Sequence, residues 1–218
     1  MALPGGPALM DLEEIDRRVI QLFALVGEAV AGSTLALLTG DREAAKVLVA
    51  KDLEVDERYR EVEQLAWERL DAGTETRQQT RYLVSVLRML PEIERSGDLA
   101  EHVASRASRG IGTEMSARAR GLVERMGEIA CSMWRMAADA YGDRAADAAD
   151  RIDMLDDEMD DLTVTLTAEI VSGGMVLPVA VELAMIGRFY ERIGDHAVNL
   201  ARRVSAWALA SKGNPPSV

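Results

Sequence analysis

The sequence predicts an all-α protein built as a tandem repeat of two antiparallel three-helix bundles. Its composition is typical of a helix bundle, because 48% of its 218 residues are apolar but only 4% are aromatic. Apolar residues recur at helical spacing along most of the chain. The stretch Glu191–Asn199 also has a counterpart 97 residues earlier (191 − 94 = 97), Glu94–His102. An internal repeat of this kind indicates repeated structural units.

The first repeat is expected to span residues 9–109 and to contain three long helices. The first helix covers about 9–39 and ends at Gly40-Asp41, where glycine suits a helix C-terminus and aspartate caps the next helix. The second helix is expected at about 42–70 and the third at about 76–109. Helices of about 30 residues are roughly 45 Å long, so short turns force them to pack antiparallel.

The second repeat is expected to span residues 113–210, after a boundary at Gly110–Thr113. Thr113 is the expected N-cap of the fourth helix, and Gly142-Asp143 is expected to open the fifth. The ends, 1–8 and 211–218, are expected to be flexible. The fourth helix is expected at about 114–140, the fifth from Gly142-Asp143 to about 171, and the sixth at about 177–210.

Charge and cysteine content restrict the function. The net charge of −12 and pI of about 4.7 would repel nucleic-acid phosphates, so no nucleic-acid partner is expected. Cys131 is the single cysteine and is expected to be a buried thiol. Residues 1–7 do not resemble a signal peptide, and no apolar stretch approaches the roughly 20 residues that span a bilayer. These features predict a soluble, cytoplasmic protein.

The repeated stretch places two carboxylates four residues apart in each half. Glu94 and Asp98 form one pair and Glu191 and Asp195 the other, and each pair shares a helix face. The carboxylates repel each other, and the glycine before each aspartate costs about 1 kcal/mol in a helix. A bound cation would offset the repulsion, and a closely packed neighbouring backbone would explain the glycine.

The middle helix of each half is also acidic. Asp52 and Asp56 lie four apart in the first half, whereas the second half offers several such pairs within residues 153–161. Alignment of Asp56 with Asp156 makes Ile152 the counterpart of Asp52, and Asp160, one turn further, is then the expected partner. The other pairs in this run are Asp153 with Asp157 and Asp157 with Asp161.

Helices that pack 8 to 10 Å apart would bring four carboxylates together in each half. Such hard oxygen ligands suit Mg, Mn, Ca or iron and argue against a thiolate or structural zinc site. His102 and Asn199 occupy equivalent positions eight residues after the two glutamates and are secondary candidates. A solvated acidic face is the alternative interpretation of each cluster. The candidate metal ligands are Asp52, Asp56, Glu94, Asp98, Asp156, Asp160, Glu191 and Asp195.

At these residues the sequence resembles the PhoU family of phosphate-signalling proteins, over about residues 10–210. The resemblance implies a cytoplasmic, non-enzymatic and often dimeric regulator that couples the phosphate ABC transporter to a sensor histidine kinase. Such regulators restrain the phosphate-starvation response and modulate phosphate uptake, and contact the membrane only through their partners. Their carboxylate sites imply bound Mg, Mn, Fe or Zn. Two departures from the family pattern are Ile152 in the second acidic pair and Ser96 in the first signature.

Three other classes of protein compete with this interpretation. A ferritin-like di-iron oxidase would carry Glu-x-x-His motifs, but Leu99 and Ile193 stand three residues before the two histidines. A metal-dependent phosphohydrolase is matched only by the dipeptide Asp195-His196. The third is a metal-free helical scaffold or dimer that docks partners through its acidic faces.

Overall fold

The computed structural model describes residues 7–145 and 147–211, and this part of the chain consists of helices joined by short turns. The predicted fold class, two tandem three-helix units, is confirmed. The first unit contains α1 to α3 and the second α4 to α6, with a short 3-10 turn at Ile111–Glu114 between them. The helices are α1 (Pro7–Thr39), α2 (Arg42–Ala72), α3 (Arg77–Ser108), α4 (Ala117–Asp143), α5 (Ala148–Val171) and α6 (Leu177–Ser211).

The turn between α1 and α2 has the predicted geometry. Gly40 adopts a left-handed backbone (φ 72°), which glycine accepts without a steric penalty. The Asp41 side chain accepts a hydrogen bond from the Ala44 backbone N–H at 3.0 Å and caps α2.

Thr76 and Gln79 form a reciprocal capping box at the start of α3.

The turns of the second unit differ from the sequence prediction. Gly142-Asp143 does not open α5, because α4 continues to Asp143 and ends at the left-handed Arg144 (φ 51°). Thr113 does not cap α4, because it lies in the 3-10 turn. Ser116 is the cap, and its hydroxyl accepts from the Ala119 N–H at 3.0 Å.

The chain ends are described only in part. Of the segments expected to be flexible, residues 1–6 and 212–218 lie outside the described residues. Pro7 and Ala8 belong to α1, and Ser211 is the last residue of α6. The two helices are therefore slightly longer than expected.

The two units share one hydrophobic core, because α1 packs against α4 and α3 packs against α6. Trp134 of α4 is buried and donates its indole N–H to the Phe23 carbonyl of α1 at 2.8 Å. Tyr190 of α6 hydrogen-bonds Thr34 of α1 at 2.8 Å. Gly127 of α4 lies where a methyl group would overlap the Thr34 side chain, so it permits the close approach of α1 and α4. These contacts fix the relative position of the two units.

Helix α1 is more apolar than the sequence analysis recognised. Over Leu12–Thr39, 28 residues, it is long and apolar enough by composition to cross a membrane, so the expectation of no such stretch is wrong by this measure. Ile15, Val19 and Leu22 on this helix are completely buried inside the bundle. A buried core helix passes the same test, so the finding is weak evidence for a membrane span.

Candidate metal centre

Three carboxylates from two helices converge in the first unit. Asp52 and Asp56 lie one turn apart on α2, and Asp98 lies on the facing side of α3. Each offers one oxygen, and these three oxygens lie within 4.8 Å of one another. All three residues are partly buried. We call this set the first acidic cluster.

Gly97 allows α2 to approach α3 at this cluster. A Cβ atom at Gly97 would lie 3.1 Å from Val55 Cγ1 and 3.6 Å from Asp52 Oδ1. The first of these distances is shorter than ordinary van der Waals contact. The contact at this glycine is close, as predicted. It is made by the side chains of Val55 and Asp52, however, and not by a neighbouring backbone. Gly97 therefore allows the close approach of α2 to α3 and leaves space for Asp52 Oδ1.

The crowded carboxylates make the ionised state unfavourable. The pKa of Asp52 is raised to about 6, first by burial and then by the charges of Asp98, Asp56 and Glu101. Glu101 lies two turns after Glu94, and the sequence comparison did not single it out because its counterpart in the second copy is Val198. Because these carboxylates repel one another, a bound cation would stabilise their ionised form.

Glu94 belongs to the same electrostatic environment. Burial, followed by the charges of Asp98 and Asp56, raises the pKa of Glu94, and burial and then Asp56 raise the pKa of Asp98. Arg60 provides a partial local counter-charge, because its guanidinium binds the Asp56 carboxylate at 2.9 Å. Four predicted ligands of the first unit are thus close enough to perturb one another.

The second unit contains a corresponding set of carboxylates, less closely grouped than the first. Burial and then the charges of Asp195 and Asp160 raise the pKa of Asp156. Burial and then Glu191 raise the pKa of Asp195. Asp156, Asp160, Glu191 and Asp195, the second acidic cluster, thus interact as the four residues of the first unit do.

The structure corrects the alignment of the second acidic pair. Asp156 Oδ1 lies 3.7 Å from the Cβ position of Gly194, as Asp52 Oδ1 lies 3.6 Å from that of Gly97. Asp156 is therefore the counterpart of Asp52, not of Asp56, and Asp160 takes the place of Asp56. Ile152 is a completely buried core residue one turn earlier. With Asp156 as the counterpart of Asp52, the second acidic pair is Asp156 with Asp160, and Ile152 does not interrupt it.

The two clusters differ in their neighbouring cations. In the second unit the Arg188 guanidinium forms an ion pair with Glu191 one turn away. The corresponding position in the first unit (188 − 97 = 91) is Pro91. Among the described residues, three carboxylate oxygens lie within 4.8 Å of one another in the first unit only. An arginine thus neutralises part of each cluster, but at different positions: Arg60 at Asp56 in the first and Arg188 at Glu191 in the second.

The two secondary candidates lie at the edges of the clusters. His102 is exposed, its Nε2 lies 3.8 Å from a Glu101 oxygen, and its ring contacts Phe189 with centroids 5.3 Å apart. The charge of His102 acts to lower the pKa of Asp52 and of Asp98. Asn199 lines an open depression beside the second cluster.

Ser96, the other departure from the family pattern, faces the second unit. It is completely buried on α3 and hydrogen-bonds His196 Nδ1 of α6 at 2.9 Å. Burial lowers the pKa of His196, which favours its neutral form. The pair therefore joins α3 of the first unit to α6 of the second through a buried hydrogen bond.

The first acidic cluster has the chemistry of a site for a hard cation. Carboxylate oxygens are the ligands that Mg and Ca prefer, and two oxygens on opposite sides of one Mg ion are about 4 Å apart. The separation of up to 4.8 Å among the three oxygens requires only small side-chain adjustments. Asp52, Asp56 and Asp98 would hold the ion, with Glu94 beside them.

The fold and these sites define a class: an all-α protein of two similar units, with an acidic cluster on the same helix pair of each. Comparison with known proteins agrees. The PhoU domain model matches residues 19–107 and again 123–204. The chain therefore belongs to the PhoU family, and the resemblance noted from its signatures is confirmed.

Curated relatives cover nearly the whole chain. "Phosphate-specific transport system accessory protein PhoU homolog 1" from Mycobacterium leprae is 31% identical over 206 residues, 92% of this chain and 91% of that protein. "Phosphate-specific transport system accessory protein PhoU homolog 2" from Mycobacterium tuberculosis is 31% identical over 199 residues, 88% of this chain and 92% of that protein.

Solved structures show the same fold. The crystal structure of PhoU from Pseudomonas aeruginosa has a TM-score of 0.85 at 25% identity and covers 92% of this chain and 98% of that chain. The phosphate transport system regulatory protein PhoU from Streptococcus pneumoniae has a TM-score of 0.81 at 21% identity and covers 97% and 100%, respectively.

Proposed function

We propose that this protein is a cytoplasmic negative regulator of the phosphate-starvation response, which couples a phosphate ABC transporter to a sensor histidine kinase and modulates phosphate uptake. Membership of the PhoU family, matched in both units, supports this proposal. The names of its relatives support the link to phosphate transport, because they are described as accessory proteins of a phosphate-specific transport system. The regulator acts through protein contacts as a homodimer and performs no catalysis.

The second part of the proposal is that each acidic cluster binds a metal ion. The observation that carries it is the convergence of Asp52, Asp56 and Asp98 to within 4.8 Å. The ion is Mg, Mn, Fe or Zn, held by carboxylate oxygens, and its charge offsets the burial and the carboxylate repulsion that together raise the pKa of Asp52. With the repulsion offset, α2 and α3 keep the fixed spacing on which a partner surface depends.

Metal content tests the second part directly. We expect purified protein to contain stoichiometric metal by elemental mass spectrometry, and the triple variant Asp52→Asn, Asp56→Asn, Asp98→Asn to lose the ion of the first unit. The control variant Glu57→Gln, Glu68→Gln, Asp71→Asn removes three exposed charges from the same helix and should keep the metal. Absence of metal from all three proteins would favour the metal-free scaffold, whereas equal metal in all three would place the ion away from the first acidic cluster.

A reporter of the starvation response tests the regulatory part. We expect deletion of the gene in its host to switch on alkaline phosphatase in phosphate-rich medium, and the wild-type chain to restore repression. The triple cluster variant should fail to restore it, whereas the control variant should succeed. Full repression by the cluster variant would separate regulation from metal binding and would make the acidic faces docking surfaces.

A further inference from the structure

We infer that a basic groove between α3 and α6 docks an acidic amphipathic helix of a partner protein. The groove has a volume of about 430 Å³ and lies between the first half of α3 and the last half of α6. The inference goes beyond the proposed function, because it requires neither the acidic clusters nor any step that depends on phosphate.

The floor of the groove is apolar and partly open to solvent. Val84 of α3 is 42% exposed and lies on the same solvent-exposed face of the helix as Arg81 and Arg88. Trp207 of α6 lies opposite with its ring buried against Tyr82, at a centroid separation of 5.3 Å. An apolar side chain from a partner would cover this floor and remove it from water.

Three arginines surround the floor. Arg81 and Arg88 flank Val84 on α3, and Arg203 extends from α6. None of the described residues that line the groove is acidic. Arg203 lies 3.4 Å from Glu92 at one end, but Arg88 has no carboxylate within ion-pair distance in the described part of the chain. A basic groove of this kind is unusual in a chain with a net charge of −12.

The corresponding surface of the other unit has a different chemistry. The repeat offset of 97 replaces Val84 by Val181, but it replaces Arg88 by Met185. Arg106, the counterpart of Arg203, is bound to Glu182 at 2.8 Å. The basic character therefore belongs to one groove and does not follow from the repeated architecture.

Charge complementarity identifies the occupant. Arg81 and Arg88 are seven residues apart on one helix, hence about 10 Å, which matches acidic side chains two turns apart on a docked helix. An apolar residue between those turns would meet Val84 and Trp207. The combination specifies an acidic helix with a narrow apolar stripe.

A synthetic helical peptide tests the inference. The probe is a fluorescein-labelled helix of about four turns with glutamates flanking a leucine stripe, and its partner probe carries lysines in place of the glutamates. We expect saturable binding of the acidic probe to the full-length chain by fluorescence anisotropy, weakened by salt between about 0.05 and 0.5 M. Arg81→Glu with Arg88→Glu should weaken binding by about tenfold or more and should improve binding of the lysine probe.

Matched controls separate docking from loss of folding. Arg17→Glu with Lys46→Glu makes the same charge change at exposed sites on α1 and α2 and should leave binding unchanged. Val84→Asp should weaken binding without changing the arginines, and Arg88→Glu alone provides a less disruptive charge variant. Circular dichroism checks that each variant is folded.

Three outcomes would overturn the inference. One is equal binding of both probes to the wild type, and a second is equal loss of binding in the control variant. In the third, the groove variant behaves normally towards the acidic probe but no longer self-associates in sedimentation or no longer binds vesicles of anionic lipid. That result would assign the groove to a second copy of the chain or to a membrane.

Discussion

The carboxylate of Asp52 combines burial with repulsion from three neighbouring acids, and this combination has a consequence for stability. Its pKa is raised from the ordinary value of 3.8 to about 6. The folded chain thus holds the Asp52 proton more tightly than the unfolded chain does. In metal-free protein, the stabilisation is complete below pH about 4 and is lost as the pH rises through about 6.

Asp52→Asn should therefore change the pH dependence of stability. In a chelator, the asparagine variant should gain melting temperature relative to wild type as the pH is raised from about 4 to about 7.5. Differential scanning fluorimetry across this range measures the difference. Glu57→Gln, an exposed change on the same helix, should show no such trend. A constant offset between Asp52→Asn and wild type would contradict the assignment.

Arg188 should weaken cation binding at the second acidic cluster, because its guanidinium already pairs with Glu191. Arg188→Gln removes this competing charge, and we expect the affinity of the second site for Mn to rise severalfold, as for the loss of one exposed ion pair. Isothermal titration calorimetry of the full chain measures both sites. The first site, which has Pro91 at this position, should be unaffected. A fall in affinity at the second site would instead show that Arg188 organises Glu191 for binding.

At the scale of helices, two glycines of α4 offer a matched comparison. Gly121 faces open space, whereas Gly127 lies against the Thr34 side chain of α1. Gly121→Ala should stabilise the protein by about 0.5–1 kcal/mol through helix propensity. Gly127→Ala should instead cost about 1–3 kcal/mol, because the added methyl overpacks the contact between the units. Urea unfolding of the two variants gives both values, and stabilisation by both substitutions would show that α1 and α4 pack less closely.

The helices also show why part of the site could be predicted from the sequence and part could not. Glu94 and Glu191 could be matched because the signatures lie on one helix each, where spacing is fixed. The middle helices could not be aligned in the same way. The separation along the chain between Asp52 and Asp98 is 46 residues (98 − 52), whereas that between Asp156 and Asp195 is 39 (195 − 156).

The difference of seven residues (46 − 39) is close to two helical turns, so it shortens the α5–α6 hairpin and leaves the same faces in contact. Single-sequence patterns do not show such a deletion, because every i, i+4 acidic pair in residues 153–161 has the correct period. Burial decides among them, since Ile152 lies in the core and Asp156 at its edge. The end of α4 also differs from the prediction, because Gly142 continues the helix and Arg144 adopts the left-handed conformation that ends it.

At the scale of the whole molecule, the two units are expected to unfold together. Buried bonds join them at several points, including Trp134 to the Phe23 carbonyl and Ser96 to His196. Separation of the units would expose these polar groups and the apolar surface around them. A unit expressed alone, such as residues 9–109, should therefore be much less stable than its share of the full chain.

We expect a single calorimetric transition for the metal-free chain, and Trp134→Ala should shift the whole of it. The indole is 2% exposed, so its removal should cost about 3–5 kcal/mol through the cavity and the unpaired Phe23 carbonyl. Trp67→Ala removes an indole that is 52% exposed and should be nearly neutral, which makes it the control. Two resolved transitions, with only the later one moved by Trp134→Ala, would show that the units fold independently. In that case a cation bound between α2 and α3 would stabilise the first unit alone. With a shared core, the same cation also stabilises α6 and the groove between α3 and the last half of α6.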